Sequence, residues 1–518
     1  MTRPRYFLLL MALLLIVLSW WGVAAARTGL VVRSLNQNGV PLLYVAPQDA
    51  EKVPGVLVAH GFAGSKQLML GYAQVLAHAG YAVMLWDFAG HAANSTPLER
   101  FSLQQDLDVA YAALIKQSEV DPTRLALLGH SMGSGAVMSA GIRDVDRFAA
   151  TVAISPTGAQ VTPSTPRNLL LQAGSWEGGF IENAQRMLRA AGGENENLVE
   201  GRGRSLVIIP NAEHITILFR NVSHQAALRW IDATFGVSRT ISYIDRRMIW
   251  YGLHLLAWLM LLGAVAPVLA EPATDNKLRS NELLAGSGVG EVGGVGEAGG
   301  VLPLTATGYE NPVKLNPFRR WGGLLLAPLV ASAGLTLISG VVKIESLGGL
   351  QVGGAVGIWF FVAGIVWLGV LFRLPRPTIR AVVLGVALFV LFWVAFGAMA
   401  QLTWLQWWLI PVRLRLWPLL SLVCFPWFLA SGMAQQGVGL FLRVALWLCQ
   451  SLALVGGFIL VLYLLPQLGF IFLLLPLFPP LMAIFSLTAS LVNQVWSYAL
   501  GSALFFGWMI AAAFPLAA

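Results

Sequence analysis

The residues with the clearest chemical potential sit in Gly129-His-Ser-Met-Gly133, directly after the run Arg124-Leu-Ala-Leu-Leu. That run reads as a short apolar strand which stops at the first glycine and turns at once into a helix. In a G-x-S-x-G turn the glycines allow a bend tight enough to push a serine hydroxyl out above the edge of a sheet. Ser131 so placed could attack a carbonyl carbon. Such an attack needs a base for the hydroxyl proton, an acid to orient that base, and N–H donors for the oxyanion. A match this short is common by chance, so the reading depends on whether the partners exist.

Seven histidines could supply the base. His254 lies in a long apolar run, His78 is in mid-helix, and His130 is inside the turn with its side chain directed away from the serine. His60, His91 and His224 lie beside the wrong strands. His214, in Asn211-Ala-Glu-His, follows the last strand (residues 205–210) and comes after Ser131 in the chain, the order serine–acid–histidine expected of such a turn. The acid should lie between them. Leu169-Leu-Leu-Gln-Ala-Gly-Ser-Trp-Glu177 puts Glu177 three residues beyond a glycine at a strand end, with Glu182 and Glu213 as competitors. The oxyanion donors expected are the backbone N–H of Met132, at the start of the helix, and that of Phe62, in the loop His60-Gly-Phe-Ala-Gly64. No phosphate loop, metal cluster or nucleic-acid motif stands out.

The elements that must position these groups are legible around them. Residues 30–32 and 41–45 flank a turn, Asn36-Gln-Asn-Gly39, as a hairpin. Strands are predicted at residues 54–60, 81–87, 125–128, 151–154, 169–172 and 206–209, with helical stretches between them. Ser102-Leu-Gln-Gln105 is a capping box. Strands alternating with helices at this spacing give βαβ units and a mostly parallel, doubly wound sheet.

His60-Gly-Phe, Asp87-Phe-Ala-Gly-His91, Gly129-His-Ser-Met-Gly133, Gly174-Ser-Trp-Glu177 and Ala212-Glu-His214 together resemble the α/β-hydrolase superfamily. Within it they are most similar to the branch of serine aminopeptidase-like, monoacylglycerol-lipase-like and dienelactone-hydrolase-like enzymes. The resemblance covers residues 30 to 236. It implies hydrolysis of a carboxylic ester, thioester or peptide bond through an acyl-enzyme, with no metal or organic cofactor. Two features depart from the family pattern: the acid is Glu where Asp is usual, and the loop after Asp87 reads Gly-His-Ala-Ala. Residues 156–167 are also too few for the helical lid that lipid-acting members insert there. The cleft is therefore expected either to be open or to be covered by another part of the chain.

That other part is large. Over 518 residues the chain is 57% hydrophobic and 11% charged, and its mean hydropathy is +0.70, values outside the range of ordinary soluble domains. Five segments are expected: an N-terminal signal anchor (1–26), the α/β domain (27–240), a membrane span (248–270), a flexible Gly-rich linker (271–320), and an all-α multi-span bundle of about seven helices (321–518). Basic residues concentrate on segments that lie inside if the N-terminus is cytoplasmic, and this puts the α/β domain on the outer side of the cytoplasmic membrane. Arg413 and Arg415 fall in a short external loop, and Trp407-Trp408 reads as a belt anchor. The net charge of +8 follows from the same distribution and implies no nucleic acid. The expected partners are a small-molecule or lipid-like acyl substrate and the bilayer. The competing reading is a catalytically silent, hydrolase-like sensor coupled to the membrane bundle.

Overall fold

In the computed structural model the described residues are 3–99, 102–237, 243–270, 316–372 and 374–517. The Gly-rich tract expected at 286–300 lies outside them. Eight strands form one sheet in the order β1-β2-β4-β3-β5-β6-β7-β8. The strands are β1 (Leu30–Gln37), β2 (Val40–Pro47), β3 (Val53–Ala59), β4 (Ala82–Trp86), β5 (Val120–His130), β6 (Ala150–Ile154), β7 (Leu169–Gly174) and β8 (Arg204–Ile209). Pairing is antiparallel at β1–β2 and β2–β4 and parallel from β4 through β3 to β8.

Strand periodicity sorts the core into two layers, because alternate side chains face opposite ways. Val56, Val58, Ala126 and Leu128 pack with Tyr72, Leu76, Leu228 and Ile231 of α2 (Leu70–His78) and α6 (Asn221–Phe235). Leu57, Ala59, Leu125 and Leu127 pack on the other face, against Leu107, Ala110 and Leu114 of α3 (Ser102–Ile115) and Val137 and Ala140 of α4 (Met132–Arg143). The helix α5 (Gly178–Ala190) adds a smaller layer through Ala184 and Met187. Helices thus cover both faces, as a mostly parallel sheet requires.

Among the described residues, nine helices are long and apolar enough to cross a membrane. Two of them, α1 (Arg3–Ala25) and α7 (Arg247–Ala270), bracket the α/β domain and pack together. At Gly22 an added Cβ would lie 2.2 Å from the Trp250 ring, so only glycine admits the close approach. The rest form a bundle whose core is dense with aromatic residues, among them the fully buried Trp359, Trp367 and Trp427. Trp407 belongs to this core rather than to an interfacial belt. It is fully buried while Trp408 is exposed, and a Cβ on Gly397, inside a π-helical turn (Trp393–Ala398), would overlap its indole. Arg413 likewise is no loop residue. It lies in the first turn of the helix Pro411–Gln435 and is buried. Its guanidinium donates to the carbonyls of Ala511 and Phe514, and to that of Gly90 in the α/β domain, at 2.6 Å each.

Candidate active site

The parallel strands deliver the candidate residues to one edge of the sheet, at their carboxyl ends, where open α/β sheets bind ligands. β5 ends at His130 and α4 begins at Met132, so Ser131 alone makes the turn. Its backbone adopts φ 52°, ψ −120°, a conformation that costs a non-glycine residue about 1–3 kcal/mol and persists only when its surroundings enforce it. The enforcement is visible. The Ser131 N–H donates to Ile154 O at 2.9 Å. A Cβ on Gly129 would sit 2.3 Å from Gly133 O, and one on Gly133 would sit 2.5 Å from His60 O. Both glycines are required by backbone contact.

Beyond the turn, the three candidate side chains form one hydrogen-bonded relay. His214 Nε2 is 3.0 Å from Ser131 Oγ, and His214 Nδ1 is 2.7 Å from Glu177 Oε1. A carboxylate only accepts, so Nδ1 carries the proton and Nε2 is left with its lone pair toward the serine. Glu177 is fixed in turn: its Oε2 accepts from Gly174 N at 2.6 Å and from Ser155 Oγ at 2.9 Å. The loops after β7 and β8 are tied together through Trp176 N to Ala212 O and Asn211 N to Ser175 Oγ. The Phe180 ring stacks on His214, with centroids 4.5 Å apart. Ser131, Glu177 and His214 are 7%, 6% and 8% exposed, enough for contact at the cleft but not for bulk hydration.

The competing carboxylates are occupied or remote. Glu213 turns back to accept from Ile215 N and Thr216 N, and Glu182 is exposed on α5. For the oxyanion, Met132 is the first residue of α4, where backbone N–H groups lack an intrahelical acceptor. The loop bearing Phe62 presses on the turn, since a Cβ on Gly61 would lie 3.1 Å from Ser131 Cβ. Sequence reasoning missed Ser155 and the second role of His130. Ser155 braces Glu177 from the end of β6, and the His130 Nε2–H donates to the His214 carbonyl at 2.9 Å. Neither carries a local signal, because both depend on which strands are neighbours.

Buried imidazoles line the same edge. Burial lowers the pKa of His60, and lowers His91 and His130 well below the usual histidine value, with His60 and His214 respectively adding to the effect. Asp87 accepts from the Lys66 backbone N–H at 2.8 Å and pairs with the Lys66 ammonium, fixing the loop that carries Gly90. Among the described residues no group of three or more His, Cys, Asp or Glu is arranged to hold a metal.

Residues 50–228 match the family model described as serine aminopeptidase, S33. Over these residues the chain is similar to the α/β-hydrolases, on a mostly parallel sheet of that fold class. An uncharacterized protein of Mycobacterium tuberculosis is 34% identical over 90 residues, which make up 17% of this chain and 32% of that one. An uncharacterized 31.7 kDa protein of Escherichia coli, encoded between traX and finO, is 29% identical over 111 residues, 21% of this chain and 39% of that one. The chain thus spans about a third of the length of the curated relatives it matches. Among solved structures, esterase Est22 is 15% identical with TM-score 0.32, over 40% of this chain and 82% of that one. Dienelactone hydrolase from Anabaena variabilis is 20% identical with TM-score 0.32, over 41% of this chain and all of that one. The family match lies between the first and second of the nine helices that, among the described residues, are long and apolar enough to cross a membrane.

Proposed function

We propose that the protein is a membrane-anchored serine hydrolase that cleaves carboxylic esters through an acyl-enzyme, with its hydrolase domain on the extracytoplasmic side of the cytoplasmic membrane. The observation that carries this reading is the continuous Ser131–His214–Glu177 relay, at 3.0 Å and 2.7 Å, on a strained turn. Ser131 Oγ attacks the acyl carbon as its proton passes to His214 Nε2. Glu177 holds the imidazole in the accepting tautomer and stabilises the imidazolium. The Met132 and Phe62 amides receive the oxyanion, and donors of this kind are each worth about 3–4 kcal/mol in the transition state. His214 then gives the proton to the departing alcohol as the acyl carbon–oxygen bond breaks. Water, deprotonated by the same nitrogen, releases the acid and restores Ser131.

The test is covalent labelling of the full chain in detergent with a fluorophosphonate, beside Ser131→Ala and His214→Ala. Labelling of the wild type that both substitutions abolish is expected. A folded wild type that resists the probe would overturn the reading and favour a silent, ligand-sensing domain.

A further inference from the structure

The connection between β6 and β7, residues 155–168, holds no helix. What reaches the site instead comes from the membrane half. The helix Leu440–Leu464 runs into a 3₁₀ segment, Pro466–Leu477, before the helix Phe478–Val492 begins. Such runs seldom exceed three or four residues. This one is two pieces joined across a break in helical geometry at Leu468, with Pro476 in the second. Its sequence, Pro466-Gln-Leu-Gly-Phe-Ile-Phe-Leu-Leu-Leu-Pro-Leu, carries no charge.

Two of its side chains point at the catalytic edge. The Phe470 ring stacks on Phe62, centroids 3.8 Å apart and 20° between planes, and the Phe472 ring lies 6.1 Å from that of His214. One apolar segment therefore touches the oxyanion loop and faces the base. Both phenylalanines remain about two-fifths exposed, so they line an opening rather than seal a core. The segment follows the candidate span Leu440–Leu464 and forms the first part of the candidate span Pro466–Val492, which ties that opening to the apolar interior of a bilayer. A soluble, polar substrate has no use for such a wall, whereas an alkyl chain gains with every methylene it buries against one.

Resting on the serine-hydrolase reading, we propose that Pro466–Leu477 is the acyl-binding wall of the active site, and that the substrate is an ester whose long alkyl chain resides in the bilayer and reaches Ser131 past Phe470 and Phe472. The experiment uses the full chain and two esters with one leaving group: soluble p-nitrophenyl acetate, and p-nitrophenyl palmitate dissolved in phosphatidylcholine vesicles. The quantity read is the ratio of kcat/KM, palmitate to acetate, within each preparation. A wild-type ratio above 1 is expected, falling at least tenfold in Phe470→Ala and Phe472→Ala. Phe470→Leu and Phe472→Leu keep apolar bulk and guard against misfolding, and they should give intermediate ratios. Ratios equal within twofold across wild type, Leu and Ala variants, or a wild type that cleaves acetate and not palmitate, would overturn this inference alone. Cleavage of neither ester, with no fluorophosphonate labelling, would overturn the hydrolase reading beneath it.

Discussion

Replacing Glu177 by glutamine changes one oxygen for an NH₂ group at nearly constant size, and the hydrogen bonds around it dictate the outcome. The Oε2 side faces the Gly174 N–H at 2.6 Å, a donor fixed at the end of β7. The Oε1 side faces His214 Nδ1. With the amide NH₂ turned toward Gly174, two donors would oppose each other, at a cost of about 1–3 kcal/mol for a buried group left unpaired. With the NH₂ turned toward His214, its nitrogen must become an acceptor. The proton then moves to Nε2, which can no longer take the serine proton. Glu177→Gln therefore stabilises the wrong tautomer, and the competent one must be recovered against that cost of about 1–3 kcal/mol, which sets a lower limit of about fivefold to 150-fold on the loss. The analogous amide substitution in a serine protease loses about 10⁴-fold in kcat, so the expected range is about 10² to 10⁴.

The assay is turnover of p-nitrophenyl acetate and the rate of fluorophosphonate inactivation, with thermal unfolding in the same detergent to show that the fold survives. A variant within threefold of wild type would refute the reasoning. It would mean that something other than Glu177 orients His214.

Other consequences follow from the same geometry. Gly133→Ala should destabilise the domain by 1–3 kcal/mol or more, the range for overpacking, because its Cβ would meet the backbone carbonyls of His60 and Ala59. A thermal midpoint equal to wild type would contradict this. The hydrolase domain should lose stability as pH falls below about 6.5, the unfolded histidine value. Burial depresses the folded-state pKa of His60, His91 and His130, and takes that of His224 to about 4. The unfolded chain therefore binds protons that the folded one refuses, at about 1.4 kcal/mol per pH unit for each such group. Asp106, raised to about 6 by burial, acts in the opposite sense and offsets about one of the four. Unfolding midpoints that stay flat between pH 7 and pH 5 would refute the balance. Arg413→Met should cost about 3 kcal/mol or more, since the carbonyls of Ala511, Phe514 and Gly90 lose a charged donor. Unchanged proteolytic resistance and midpoint would argue against that clamp.

What could be read from the sequence was what local chemistry enforces. Gly129 and Gly133 mark the turn because any side chain there strikes backbone, and β3 and β5 announce themselves by apolar runs ending at chemically active loops. Glu177 and His214 were picked out as the candidate acid and base because strand order limits where such groups can stand, and the structure brings both side chains into one chain of hydrogen bonds with Ser131. Ser155 was not found: it lies 22 residues from Glu177 in the chain and meets it only because β6 adjoins β7. Arg413 is separated from Gly90 by 323 residues, and a lone arginine before an apolar run reads equally well as an interfacial charge. Trp407 misled for a similar reason, since a tryptophan near a span end gives no sign of the slot that Gly397 opens for it.

These long-range contacts have a consequence for the cleft. The domain meets the bundle near residues 404–406, 413, 470–472 and 516. Leu516 N donates to Gly90 O at 2.7 Å, and Gln67 Nε2 donates to Gln406 Oε1 at 2.6 Å. The Arg247 guanidinium, at the start of α7, holds the carbonyls of Gln67 and Leu68 at 3.1 Å and 2.9 Å. These are directional bonds, many of them buried, and an apolar contact alone would let the two bodies slide. Residues 66–68 follow the Phe62 loop, and Gly90 precedes His91, whose ring lies 5.6 Å from that of Phe62, so the restrained segments frame the loop that presses on the nucleophile turn. A bundle held by these bonds keeps Phe470 in register with Phe62, and a mutation at the docking contacts should therefore act on long-chain turnover before it acts on Ser131 itself.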